Sequence, residues 1–448
     1  MKLKKDMSKI KNIAVIYFSH DGISSLYTGV GTSGRDICYS MLDIKKSLEV
    51  NGYNLTFYPG TIRYNKQFHG YSKSVREEVK KIANSFGTKI IEVENGSGGT
   101  LSYGNVNYWI QASQNASSEI DKLSNLYEHI IVISSDTPFA GVAQYTKSKN
   151  ITHVWVPRST AKIHSSFKLR KEDGSMDEFM KSRITWEENA VNFANTNKNS
   201  YIGHIGDFVK QHLMTDYGAK EDSLIEMRIG LYYPRLNEYK KSQEQIKQFL
   251  KDIGISADKG LLVSFARAEH YKGLDLVLKL GGYLEKKYDV QTIILTVPYS
   301  MDDPYIQELN KVKEEHNPNA IIIFGHDFIT PHYLMQWEKT KIVAVLSRQE
   351  PTGLVPGEFR YYKNSEAQLL VSNKDGLPER VADGIDGFVC NIDNINDIID
   401  KAEEIMNLSQ SEKKSVSDAG YKTIMSKYYL PDNLTAMLQK LLTKLEVK

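Results

Sequence analysis

The sequence has almost no cysteine. Only Cys38 and Cys390 occur in 448 residues, far apart in the chain, which argues against a disulfide framework or a cysteine metal site and fits a reducing compartment. Long apolar runs are missing as well, since no stretch approaches the roughly eighteen residues of a membrane span. The opening MKLKKDMSKIKNIAVIYFS is basic and then apolar. Its apolar part, NIAVIYF, is too short for a signal-peptide core and lacks a small-residue cleavage site, so a cytoplasmic protein without integral membrane association is expected. Nor is there an excess of one charge: 57 Lys+Arg face 55 Asp+Glu, which gives no case for a nucleic-acid-binding surface. Repeats and low-complexity tracts are absent, and no feature specifies an oligomeric state. What remains, 41% hydrophobic and 25% charged, is the composition of a globular chain. At 448 residues it is too long for one ordinary core, and two α/β domains of roughly 200 residues each are expected.

Short apolar, β-branched runs alternate with longer stretches of helical periodicity, the βαβ pattern of parallel sheets. In the first half the runs are 12–18, 54–58, 89–93, 129–134 and 152–156; in the second they are 260–265, 291–296, 320–324, 341–346 and 368–372. Two doubly wound sheets account for them. Pro234 and the polar run after it interrupt the rhythm, so residues 1–235 are assigned to a first domain and 236–415 to a second. Residues 416–448 form a C-terminal helical segment that could cross back to the first domain, its last helix starting at the Pro-Asp of YYLPDNLTAML.

Ligands of open α/β sheets sit outside the carboxyl ends of the strands, and three segments there are unusual. In VSFARAEHYKGLDLVLKL, Arg267 and Lys272 lie five residues apart between a strand and a helix, where two cations can converge on one anion aided by the helix N-terminus. The alternative is that Arg267 pairs with Glu269 and Lys272 is merely solvated. In SRQEPTGLVPGEFR, Glu350 ends a strand, Thr352, Gly353 and Leu354 make a turn with outward N–H groups, and Glu358 follows on the next helix. There the alternative is a helix-capping Glu350 and a surface Glu358. In YTGVGTSGRD, Gly29, Gly31 and Gly34 would permit close backbone approach to a ligand. They have G-x-G-x-x-G spacing but start eleven residues past Phe18 and lack the acidic partner of a dinucleotide fingerprint.

Together the Arg267-to-Lys272 segment with KGLD, the Glu350-x7-Glu358 pair around TGLV, and KDGLPERVADGIDGFVC from Lys374 resemble the retaining nucleotide-sugar glycosyltransferases of the GT-B fold, glycosyl transferases group 1 type. The match is good over about residues 258–400 and elsewhere rests on GVGTSGRDICYSML and the strand rhythm. The resemblance implies an α/β GT-B architecture, two doubly wound Rossmann-like domains facing across a cleft. It implies that Arg267 and Lys272 hold the donor diphosphate and that Glu350 faces the donor sugar. Thr352, Gly353 and Leu354 would offer backbone N–H groups, Glu358 would bind the ribose, and Gly325 and His326 would meet the base. Gly29 and Gly31 would let the first domain close over the diphosphate. Two departures stand out: the family's double glycine before Leu-Pro-Glu reads Asp375-Gly376 here, and its acceptor-domain histidine is replaced in VPRSTAKIH by Arg158, Ser159 or a displaced His164.

The reaction so implied moves a sugar from a nucleoside diphosphate, a UDP-sugar such as UDP-GlcNAc or UDP-glucose, to a hydroxyl of a small polar acceptor. No cofactor is called for, the nucleotide sugar being a substrate. With two cations for the diphosphate and no Asp-x-Asp motif in the sequence, no metal is expected either. For the acceptor, NGSGGTLSYGNVNYWIQASQNAS offers Asn95, Ser97, Tyr103, Asn107, Trp109 and Gln111 for polyol binding, and Asp136 could meet an amine or a hydroxyl. FARAEHYKGLD followed by PYSMDDPY is similar to enzymes that glycosylate an aminocyclitol in antibiotic biosynthesis. A lipid-linked or cell-envelope acceptor, a hydrolase or epimerase on the same fold, and a catalytically silent sugar-nucleotide-binding protein are the alternatives.

Overall fold

A computed structural model describes residues 11–26, 28–68, 70–100, 104–164, 177–256, 258–297, 301–325 and 327–446. The chain divides into two compact units, Met1–Tyr232 with Leu430–Lys448, and Tyr233–Tyr429.

The first unit is built on a seven-stranded sheet in the order β3-β2-β1-β4-β5-β6-β7. Its strands are β1 (Lys11–Phe18), β2 (Tyr53–Ile62), β3 (Ile91–Val93), β4 (His129–Ser135), β5 (Ile151–Val156), β6 (Ser200–His204) and β7 (Leu224–Glu226). Every pairing is parallel. The second unit carries a six-stranded sheet, β10-β9-β8-β11-β12-β13, again parallel throughout. Those strands are β8 (Gly260–Arg267), β9 (Val290–Val297), β10 (Ile321–Phe324), β11 (Thr340–Val345), β12 (Gln368–Ser372) and β13 (Phe388–Cys390). Parallel sheets are covered on both faces, which is why β1 and β8 read as near-continuous apolar runs rather than as alternations. On one face of β1, Ala14, Ile16 and Phe18 enter a core with Ile130, Val132, Ala112 and Ala116. Around β8, Leu262 packs on the Leu274–Tyr288 helix, while Val263 and Phe265 pack with Leu334 and Met335.

In each sheet the order reverses beside the first strand, at β1/β4 and at β8/β11. A crevice opens at such a point on the carboxyl side of the strands, and it is where each unit should take a ligand.

Each of the ten apolar runs read from the sequence overlaps a strand. Three strands escaped that reading because they are short or broken: β6 contains Gly203, and β7 and β13 have three residues each. The expected domain limits shift. The first unit ends at Tyr232, and residues 416–429 belong to the second unit rather than to a separate segment, because Ile424 and Tyr428 are buried there and the Ile424 carbonyl accepts the Tyr233 hydroxyl at 2.6 Å. Only the Leu430–Glu446 helix returns to the first unit, where it packs along the Gly29–Val50 helix. Among the described residues, no helix is long and apolar enough to cross a membrane.

Leu434, Met437, Leu438, Leu441 and Leu442 of the returning helix are all buried. At about 1.5–3 kcal/mol per side chain, their burial rivals the whole stability of a typical domain. Truncation after Tyr429 should therefore abolish protection from hydrogen exchange in β1 and the Gly29–Val50 helix while leaving β8 and β11 protected.

Candidate functional site

In the second unit, β8 ends at Arg267, a single 3-10 turn spans His270–Lys272, and the Leu274–Tyr288 helix begins after Gly273. Gly273 has φ +66°, and a Cβ there would stand 2.0 Å from the Leu346 carbonyl oxygen. Only glycine lets this turn lie against the end of β11. The two cations expected to converge are each engaged with a carboxylate. Arg267 pairs with Glu269 at 3.0 Å and donates to the Tyr271 hydroxyl at 2.5 Å; Lys272 Nζ reaches Glu350 Oε2 at 2.5 Å. Arg267 thus has the local partner weighed as its alternative, whereas Lys272 is not merely solvated: it is largely buried and bridges two strand ends.

Glu350 is positioned from both sides. Its backbone N–H donates to Asp375 Oδ2 at 2.8 Å, and its carbonyl accepts from the Gly376 N–H at 3.1 Å. Asp375, where the resembling family has glycine, adopts φ +51°. Aspartate tolerates this left-handed conformation better than most residues, so the turn survives and its carboxylate gains a use. Burial raises the Asp375 pKa, and the Glu350 charge adds to the effect. Gly353 makes the turn with φ +64°, and the Val355–Tyr362 helix starts without a side-chain cap at Leu354. Pro356 has no N–H and those of Gly357 and Glu358 donate to the Leu354 carbonyl, so the N–H groups suited to an anion or a sugar hydroxyl are those of the turn ahead of the helix. Thr352 is tied down by Arg380, which donates to its hydroxyl. Glu358, in the first turn of the helix, is buried rather than on the surface. At the end of β10, Gly325 is exposed with φ +72°, and His326 lies outside the described residues.

The first unit departs further from the sequence reading. Gly29, Gly31 and Gly34 do not form a loop; they open the Gly29–Val50 helix, capped by the Thr28 hydroxyl. The space at Gly31 is filled by the Asp21 carboxylate, 2.5 Å from where a Cβ would sit. That carboxylate accepts from Gly22 N, Ser25 Oγ, Thr28 N and Thr28 Oγ1 at 2.9–3.0 Å, so Gly31 serves an internal clasp. Asn95 is buried, with Oδ1 taken by Ser97. Asn107, Trp109 and Gln111 lie on the Val106–Leu123 helix, and Trp109 is an interior residue, edge-on to Phe179, with no face for a sugar. Tyr103 lies outside the described residues. Asp136 is buried with φ +64°, and His20 Nε2 lies 3.8 Å from its carboxylate. Arg158 is buried past the end of β5, and the half-buried His164 closes the short Ala161–His164 helix.

Residues 231–423 match the family model for Glycosyl transferases group 1. Those residues lie almost wholly in the second unit. The whole chain is similar in fold to a sucrose-phosphate synthase from Thermosynechococcus elongatus, with a TM-score of 0.70, 12% identity, and 98% of this chain and 99% of that one covered. It is also similar to Anabaena HepE in complex with UDP-glucose (0.64, 12% identity, 96% and 99% covered). A glycosyltransferase from Rickettsia africae gives 0.65 at 14% identity, with 98% and 100% covered. No curated protein matches the sequence. At these identities the likeness shows the fold, which is GT-B.

Three features of the structure were not singled out in the sequence. Arg348, two residues before Glu350, makes a two-pronged bond to Asp275 at 2.7–2.8 Å and donates to the His270 carbonyl, while Tyr305 donates to the same carboxylate. The fork locks the Lys272 turn to the Glu350 loop. Glu187, fully buried on the Glu178–Thr196 helix, accepts from Thr137 Oγ1, Ala161 N, Arg183 Nε and Tyr217 OH, gathering the segments after β4 and β5. His20 follows β1 directly. Position at a strand end could have flagged Arg348 and His20; a mid-helix glutamate offers no such signal.

Burial opposes the ionised Asp275 carboxyl, but the Arg348 bonds and charge outweigh it and hold the pKa below the ordinary value. A depressed carboxylate contributes stability above its unfolded pKa, near 3.9, and loses that contribution as pH falls through the lower folded value. Asp275→Asn should therefore cost about 3 kcal/mol at pH 7. Urea unfolding should show the gap to wild type closing as the pH drops below about 4.

Proposed function

We propose that the protein is a retaining, metal-independent glycosyltransferase that moves a hexose from a UDP-sugar to a hydroxyl of a small polar acceptor, with the second unit holding the donor. The observation that carries this reading is the Lys272–Glu350 pair, set at the ends of β8 and β11 beside the sheet's reversal point and next to Arg267. The family match over the second unit supports a nucleotide-sugar donor, and the structural relative seen with UDP-glucose favours uridine.

The hard step is parting an electron-poor sugar carbon from an anionic diphosphate. Arg267 and Lys272 stabilise the charge that grows on the diphosphate as the bond from C1 to its oxygen breaks. Both cations are held beside the site, Arg267 by Tyr271 and Glu269 and Lys272 by Glu350, and the arriving anion displaces Glu350 from the lysine. Glu350, freed as Lys272 turns to phosphate, faces the sugar. The N–H groups of Thr352 to Leu354 bind its hydroxyls or the phosphate, and Glu358 accepts from the ribose. The acceptor oxygen bonds to C1 on the face the diphosphate leaves. Its proton passes to the departing phosphate oxygen, so no side-chain nucleophile takes part. An aminocyclitol is the acceptor that the resemblance of FARAEHYKGLD and PYSMDDPY suggests, and Asp136 is the carboxylate that would meet it.

Arg267→Ala should lower kcat by a factor equivalent to about 2.7–4 kcal/mol, the cost of removing one transition-state donor, when measured at a temperature where the variant stays folded, since it also removes the partner of buried Glu269. UDP at 100 times its Kd should stabilise the wild type by about 2.7 kcal/mol, with or without EDTA, and this shift should be lost in the variant. No thermal shift with UDP, GDP, ADP or TDP would sink the donor site.

A further inference from the structure

Arg158 is a buried cation without a counter-ion. It follows β5, the neighbour of β4, and is 7% exposed. Its Nε donates to Ser135 Oγ at the end of β4 at 3.1 Å. Neither Nη1 nor Nη2 meets a hydrogen-bond acceptor, and among the described residues no carboxylate forms an ion pair with it. The adjacent Ser159 hydroxyl and the Ser33 hydroxyl in the Gly29–Val50 helix are buried without partners too, and the Tyr17 hydroxyl of β1 is buried within reach of Ser135 and Ser19. The guanidinium reaches towards β1: burial raises the Tyr17 pKa, and the Arg158 charge is the largest influence opposing that rise. Tyr17 in turn lies against that helix, its hydroxyl 3.2 Å from where a Cβ on Gly34 would sit.

The position is costly. A guanidinium cannot shed its charge at any ordinary pH, and a buried charge with two unmet donor nitrogens forfeits several kcal/mol of hydration. Buried arginines are ordinarily matched by a carboxylate; of the first unit's buried carboxylates, Glu187 is engaged by Arg183 and Tyr217, Asp21 by its own clasp, and Asp136 lies 3.8 Å from His20 Nε2. What fits the two open nitrogens is a two-oxygen anion, which a planar guanidinium binds with parallel hydrogen bonds. The surrounding hydroxyls would take the remaining oxygens.

We infer that Arg158 is the centre of an anion subsite at the β1/β4 reversal of the first unit, and that the acceptor carries a phosphate or carboxylate group held there. Calling the anion part of the acceptor rests on the glycosyltransferase reading; the anion site itself does not. It also reassigns the first unit's leading acceptor contact, from an acidic residue seeking an amine to a basic one seeking an anion.

The test is isothermal titration of inorganic phosphate into the full-length protein saturated with UDP, for wild type, Arg158→Gln and Arg158→Lys. Sodium acetate at equal ionic strength tests a carboxylate, and sodium chloride sets the screening baseline. Wild type should bind phosphate or acetate in preference to chloride, at least tenfold more tightly than Arg158→Gln, with Arg158→Lys in between. UDP affinity should be the same in all three. In phosphate-free buffer Arg158→Gln should unfold no earlier than wild type, because it removes an uncompensated charge, whereas a structural arginine would give a destabilised variant. Anion binding indistinguishable from chloride, insensitive to Arg158→Gln, or abolished by UDP would overturn the acceptor subsite. Absence of UDP binding would instead count against the proposed function.

Discussion

The second unit's site depends on one ion pair between residues 78 positions apart, Lys272 and Glu350. Its geometry is imposed by the backbone beneath it. Gly273 lets the β8 turn touch the Leu346 carbonyl, the Arg348–Asp275 fork clamps the same two segments, and Asp375 with Gly376 holds the Glu350 backbone from the other side. Such a pair is a poor source of stability, since desolvation offsets most of its attraction. Its value is orientation: a cation kept in place by a carboxylate is ready for an anion that can displace that carboxylate.

The two units meet their charges differently. In the second, the carboxyl ends of the central strands present cations that already have partners, Arg267 with Glu269 and Lys272 with Glu350. In the first, polar groups are sunk deeper: Asp21 is saturated by neighbouring hydroxyls and N–H groups, Glu187 by four donors, and Arg158 only in part. A chain that retains a buried, half-satisfied arginine gives up stability at that point, as functional sites commonly do.

The parallel sheets were legible in the sequence because doubly covered strands are written as uninterrupted apolar runs, and every such run became a strand. Strands too short to make a run, β7 and β13, were not. In the site, Arg267, Lys272, Glu350 and Glu358 were legible from their positions after strands. Their pairing was not, because contact across 78 residues is decided by sheet order, which periodicity does not reveal. Gly31 and Trp109 mark the opposite failure. A glycine near a strand end and an aromatic beside a polar loop look ligand-facing in sequence, yet one makes room for Asp21 and the other completes a core.

The central claim is that the donor diphosphate takes Lys272 from Glu350. Titration of UDP into wild type, Glu350→Gln and Lys272→Ala tests it directly, because UDP has a diphosphate but no sugar for Glu350 to contact. Releasing the lysine should tighten UDP binding in Glu350→Gln roughly two- to fivefold, the small net worth of a pair whose desolvation offsets most of its attraction, while Lys272→Ala binds more weakly than wild type. Weaker UDP binding in Glu350→Gln, or unchanged binding in Lys272→Ala, would contradict the account.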